Sequence, residues 1–202
     1  MTRPQTRYAY NDGVAIAYQV VGSEGPDLLF VPGSVTHLEH HWEEPRVRRF
    51  LTRLAGFSRL IMMDPRGLGL SDRLTEPPTM QERVGDLLAV LDAAESEHAT
   101  RFGNADTGPP CIAAVVEHPE RASGLILCGT YARAEWSEDY PYGWKEEDWA
   151  SFVEYVKNDW GTVERMDRQA PSLEGDEAFR QWFTTLERAS ARAPVPSCCS
   201  AR

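Results

Sequence analysis

The chain has 202 residues, 21 Lys and Arg against 31 Asp and Glu, and a formal net charge of −10; 42% of it is hydrophobic and 26% charged. That is the balance of an ordinary globular chain, and at this length one domain buries roughly 70% of its unfolded surface with no need of disulfide or metal staples. The acid excess weighs against nucleic acid and anionic membrane as partners, which both need a basic face, and no apolar stretch approaches the ~20 residues of a membrane-spanning helix.

The opening Met1–Arg7 has no apolar core and does not read as a signal peptide. Tyr8–Tyr10 and Val14–Val21, joined by Asn11-Asp12-Gly13, predict a hairpin. Leu28–Val31 is a short apolar run stopped by Pro32-Gly33, as expected of a strand buried on both faces. Pro45–Leu54 has helical spacing with a basic outer face, and Leu60–Met63 predicts a second buried strand, ending in Asp64-Pro-Arg-Gly67. Asp64 and Arg66 read as an ion pair within the following loop, to which Asp72 and Arg73 also belong. A capping box, Thr79-Met-Gln-Glu82, starts a helix whose apolar stripe is Met80, Val84, Leu87, Leu88 and Leu91.

Thr100–Gly103 predicts a short strand. Gly108–Glu117 predicts a helix that tolerates Pro109 and Pro110 in its first turn. Leu125–Cys128 predicts another buried strand. Strands alternating with helices indicate parallel βαβ units, hence an α/β fold. Beyond residue 131 the composition changes: five of the six Trp lie there, among many acids. Trp149, Phe152, Val153 and Val156 form one stripe, and Phe179, Trp182, Phe183 and Leu186 another. Two readings stand: packing against the neighbouring core, or an aromatic lid over a ligand pocket. Cys111 and Cys128 read as small core residues, Cys198 and Cys199 fall in an irregular tail, and this cysteine usage suits the cytoplasm.

Asp64-Pro-Arg-Gly-Leu-Gly-Leu-Ser71-Asp72, the turn Pro32-Gly33-Ser34 and Phe102–Pro109 together resemble the α/β-hydrolase superfamily. His37-Leu-Glu39, Trp42-Glu43, His118–Arg121 and Gly129–Ala132 extend the likeness to hydrolase domains fused to bacterial class III adenylate cyclases. The resemblance covers residues 7 to 190. It implies a mostly parallel sheet of about six strands with its last edge strands missing, a core over 1–131, a helical cap over 132–190 and an irregular tail over 191–202. It also implies cofactor-independent hydrolysis of an ester, lactone or epoxide, with a small apolar substrate or ligand. In this superfamily the triad runs nucleophile, acid, His, yet all five His (37, 40, 41, 98 and 118) precede the cap. Ala193–Arg202 does not continue the pattern and reads as a C-terminal truncation, which would leave Leu125–Cys128 as an open apolar edge that invites pairing with a second copy.

The nucleophile turn needs small residues two places either side of its apex. Gly103-Asn104-Ala105-Asp106-Thr107 puts Ala105 at the apex, a site without a nucleophile. Asn104-Ala105-Asp106-Thr107-Gly108 puts Asp106 there, resembling epoxide hydrolases and haloalkane dehalogenases, which form an alkyl ester on a carboxylate. Both registers remain open. The resemblance implies an oxyanion hole from the backbone at Gly33 and Ser34 and from the residue after the apex. His37, His40 and His41, with Glu39, Glu43 and Glu44, match no common metal site and read as loop residues near the pocket mouth; no metal is implied.

Overall fold

The computed structural model describes residues 3–162, 170–173 and 175–191. The tail with Cys198 and Cys199 lies outside the described residues. Strands β1 (Arg7–Asn11), β2 (Val14–Val21), β3 (Asp27–Val31), β4 (Arg59–Met63), β5 (Ala99–Asn104) and β6 (Ala122–Cys128) form one sheet in the order β1-β2-β4-β3-β5-β6. The first two pairings, β1 with β2 and β2 with β4, are antiparallel; β4, β3, β5 and β6 are mutually parallel. This is the mostly parallel six-stranded sheet expected from the sequence.

Alternation along the central strands separates two cores. Leu29, Val31, Ile61 and Met63 face helices α2 (Met80–Ala93) and α3 (Gly108–Glu117), meeting Val84, Leu87, Leu91, Cys111 and Ala114. Leu28, Phe30, Leu60 and Met62 point the other way, onto Leu38, Trp42 and Leu51 of helix α1 (Pro45–Leu54) and the loop before it. Each such side chain contributes about 1.5–3 kcal/mol by leaving water. Helix starts are set locally: Glu44 accepts from Arg46 N and Val47 N ahead of α1, and the Thr79–Glu82 capping box opens α2 in both directions.

Two expectations need correcting. Met80 belongs by spacing to the apolar stripe of α2 but, as the first residue of the helix, is 39% exposed; Val90 and the buried Asp86 share the inner face instead. Leu125–Cys128 is not a buried strand: Ile126 and Leu127 are 43% and 45% exposed, and Cys128 is an exposed thiol rather than a core residue. The cause is strand order. β6 sits at the sheet's end, and among the described residues no strand pairs with its outer edge.

Helices α4 (Glu146–Asp159) and α5 (Glu177–Ser190) follow β6. α5 is tied to the core: Trp182 Nε1 donates to His40 O (3.0 Å), Gly69 N to Ser190 O (2.8 Å), and Asp176 pairs with Arg46. α4 joins α5 through Gly161 N to Glu187 (3.0 Å) and Trp160 Nε1 to Ala191 O. Val156 and Leu186 are the buried members of the two stripes; Trp149, Phe152, Phe179 and Trp182 are half-buried.

Candidate functional site

The parallel strands β3, β4 and β5 end at one edge, and three segments converge there: Pro32–Ser34 after β3, the 64–73 loop after β4, and the turn between β5 and α3. In that turn Ala105 has φ 54°, the left-handed region that costs a residue with a Cβ roughly 1–2 kcal/mol. Asp106 is outside that region. Thr107 holds the strained bend: its hydroxyl accepts from Asn104 N (3.0 Å) and lies 2.7 Å from Val31 O, to which it donates. Thr130, just after β6, hydrogen-bonds Ala105 O. The sequence places Thr107 in the turn but not its tie to Val31, and sequence reasoning missed Thr130.

Glycine is needed at 103. A Cβ there would lie 2.9 Å from Gly108 Cα and 3.0 Å from Thr107 O, both backbone atoms that cannot swing aside. Gly103→Ala therefore pushes β5 and α3 apart and is expected to cost roughly 1–3 kcal/mol in urea unfolding; an unchanged midpoint would show that the turn is loosely packed. Gly33 is close-packed too, since a Cβ on it would come within 3.1 Å of both Ala105 Cβ and Asp106 Oδ1.

Asp106 meets the loop after β3 directly: Ser34 N donates to its Oδ1 at 2.8 Å. Asp106 and Thr107 also line a crevice of about 40 Å³ whose walls include Val31, Met63, Leu68, Leu87 and Pro110 together with the charged Arg66, Arg83 and Asp86. That is room for a group about the size of one methyl or water. Gly33, Ser34, Asn104, Ala105, Asp106 and Thr107 are thus brought together as the sequence suggested, while Gly108 opens α3 against Thr130.

No histidine joins them. His41 is buried and bonds Thr36 Oγ1 (3.1 Å), His40 Nδ1 bonds Glu43 (2.7 Å), and His118 lies near Glu120 at the far end of α3. Among the described residues none of the five hydrogen-bonds Asp106 or Ser34, and no group of three or more His, Cys, Asp or Glu is arranged to hold a metal ion. Burial holds the His41 imidazole down to about 4, and burial lowers that of His37 as well.

The 64–73 loop departs from its reading. Asp64 and Arg66 do not pair. Arg66 turns to α2 and binds Asp86 with Nε and Nη2, both at 2.6 Å, and Glu82 at 3.0 Å. Asp64 is buried and accepts from Thr36 Oγ1 (2.6 Å), Leu38 N (3.1 Å) and Leu70 N (2.9 Å). Burial outweighs these three donors and pushes its carboxyl up to about 6. Asp72 and Arg73 do belong to the loop, through Gly67 N to Asp72 O and Arg73 Nη1 to Gly67 O, both 2.9 Å.

No family model matches the chain. It is 34% identical over 84 residues to the 2-hydroxymuconate semialdehyde hydrolase of Pseudomonas sp. (strain CF600), 41% of this chain and 30% of that protein. It is 29% identical over 92 residues to a putative carbamate hydrolase, RutD, of Caulobacter sp. (strain K31), 45% of this chain and 33% of the relative. Those matches thus span about a third of each curated relative. Among solved structures, the esterase RhEst1 from Rhodococcus sp. superposes with a TM-score of 0.76 at 22% identity, over 97% of this chain and 71% of that one. A bromoperoxidase from Bacillus anthracis gives 0.75 at 21%, over 98% and 73%. With the strand order and the strained turn after β5, this likeness means that the chain has the α/β-hydrolase fold.

Proposed function

We propose that the chain uses a hydrolase scaffold to bind a small apolar ligand beside the β5–α3 turn without hydrolysing it. The observation that carries this reading is Ala105 at the left-handed bend. A turn of this kind holds its nucleophile at the strained apex, and a methyl group cannot attack a carbonyl. The ordinary backbone at Asp106 and its engagement by Ser34 N support the Ala105 register over the Asp106 register. Among the described residues a general base is also lacking nearby, since His41 is engaged by Thr36 and His40 by Glu43. The motifs shared with hydrolase domains fused to class III adenylate cyclases suit this reading, because a binding module needs no turnover.

A second reading is hydrolysis of an ester, lactone or epoxide, favoured by the hydrolytic names of the curated relatives and by a carboxylate lining the crevice. The two separate in one assay. Purified protein is expected to cleave p-nitrophenyl butyrate and to open styrene oxide no faster than Asp106→Ala. Turnover that the substitution abolishes would make Asp106 a nucleophile and remove the binding-only reading. Short acyl ligands are expected to quench tryptophan fluorescence saturably.

A further inference from the structure

We propose that Asp106 is a built-in occupant of the oxyanion site, and that it makes the Ser34 N–H reject carboxylates and other oxyanions while neutral apolar ligands are admitted beside it. This rests on the binding-site reading above and specifies its ligand class. In a hydrolase scaffold the backbone N–H groups at the end of the loop after β3 and just after the apex face the oxygen that gains negative charge. Here the Ser34 N–H already has an anion on it, the carboxylate of Asp106 at 2.8 Å.

The arrangement is built to stay. Gly33 has no side chain, so the two loops approach until Asp106 Oδ1 and Ala105 Cβ each lie 3.1 Å from where a Cβ would stand. Thr107 ties Asn104 to Val31, and Thr130 holds Ala105 O, so both flanks of the turn are fixed. The backbone that presents Asp106 to Ser34 is therefore held in place. A carboxylate ligand would have to displace a charge-assisted hydrogen bond and then sit beside the displaced anion, where two like charges resist sharing a site. A hydrogen bond to a charged group is worth about ten- to a hundred-fold in affinity. A neutral ligand meets neither obstacle, since it can place a terminal methyl group in the crevice beside the half-buried Pro65, Leu68 and Pro78 and leave the Ser34 contact intact.

The test uses the ¹⁵N-labelled chain with hexanoate and 1-hexanol as probes. In the unmodified protein, hexanoate is expected to leave the Ser34 amide resonance in place. In Asp106→Ala the same amide should shift, with hexanoate binding at least ten-fold tighter. Asp106→Asn keeps an acceptor on Ser34 N and loses the charge, so its affinity should fall between the two. Equal hexanoate affinity in the unmodified protein and Asp106→Ala, or a hexanoate-induced Ser34 shift in the unmodified protein, would overturn the proposal. Should Asp106→Ala fail to fold, Asp106→Asn alone still decides: hexanoate must bind it more tightly than it binds the unmodified chain, and equal affinity refutes the proposal. Hexanol perturbing no resonance around the crevice would instead sink the binding-site reading, leaving the Ser34–Asp106 result standing.

Discussion

Asp86→Ala is expected to lower the unfolding free energy by about 3–5 kcal/mol and the melting temperature by about 10 °C. Arg66 and Asp86 side chains are each 2% exposed and meet in a two-pronged contact, both distances 2.6 Å. Asn11 Nδ2 adds a third donor to Asp86 at 3.0 Å, so one carboxylate joins the hairpin, the 64–73 loop and α2. Contact with the Asp86 carboxylate is the main reason the guanidinium holds its proton more tightly than usual. Truncating Asp86 strands a buried cation whose remaining partner, Glu82, is itself 40% exposed. The pair's net worth is smaller than that loss, because both ions gave up hydration to meet. Replacing both together, as Arg66→Met with Asp86→Leu, should therefore recover most of the stability. Urea unfolding of the three variants checks this. A loss under about 1 kcal/mol for Asp86→Ala would mean water reaches the guanidinium.

Asp64→Asn and His41→Gln should give stability profiles of opposite slope between pH 4 and 6.5. The two groups are joined through Thr36 Oγ1, 2.6 Å from Asp64 and 3.1 Å from His41. The hydroxyl has one proton. When it is given to ionised Asp64, His41 Nε2 must be the protonated nitrogen and donate to Thr36. Asp64 titrates at about 6 in the folded chain against 3.8 for an ordinary aspartate, so the native state holds the proton longer. Its contribution is fully present below 3.8 and is lost as pH rises through 6, about 3 kcal/mol. His41 titrates at about 4 against 6.5 for an ordinary histidine, so the unfolded state holds the proton longer. Its contribution is present above 6.5 and is lost as pH falls toward 4, again about 3 kcal/mol.

In the unmodified chain the two nearly cancel. Asp64→Asn leaves His41 unopposed, so stability relative to the parent should rise with pH. His41→Gln leaves Asp64, and stability relative to the parent should fall. Carboxylates elsewhere contribute equally to all three proteins and drop out of the difference. Urea midpoints at pH 4.5 and 7 decide it, and parallel profiles would show that water solvates this cluster.

Much of the fold could be read locally. Leu28–Val31 and Leu60–Met63 announce central strands because both their faces are apolar, and Gly108–Glu117 announces a helix because its prolines fall in the first turn. Periodicity failed for Leu125–Cys128, since it reports the character of a strand's side chains and is silent on whether another strand will cover them. The 64–73 loop shows the same limit: Asp64 and Arg66 are two residues apart and opposite in charge, yet the loop turns them to different neighbours.

At the candidate site the sequence by itself determined which residues gather: small and polar groups at 33–34 and 103–108, each following a strand of the parallel set. It also determined that all five imidazoles lie at or before residue 118. Only the tertiary structure decided that Ala105, and not Asp106, takes the left-handed bend, and that the Asp106 carboxylate turns onto Ser34 N. Both registers offered acceptable neighbours along the chain. The choice falls to close approach between β5 and α3 at Gly103 and to the Thr107 and Thr130 hydroxyls, contacts made with Val31 and with the segment after β6. A backbone angle at one residue is thus set by atoms far along the chain, and no local pattern records those.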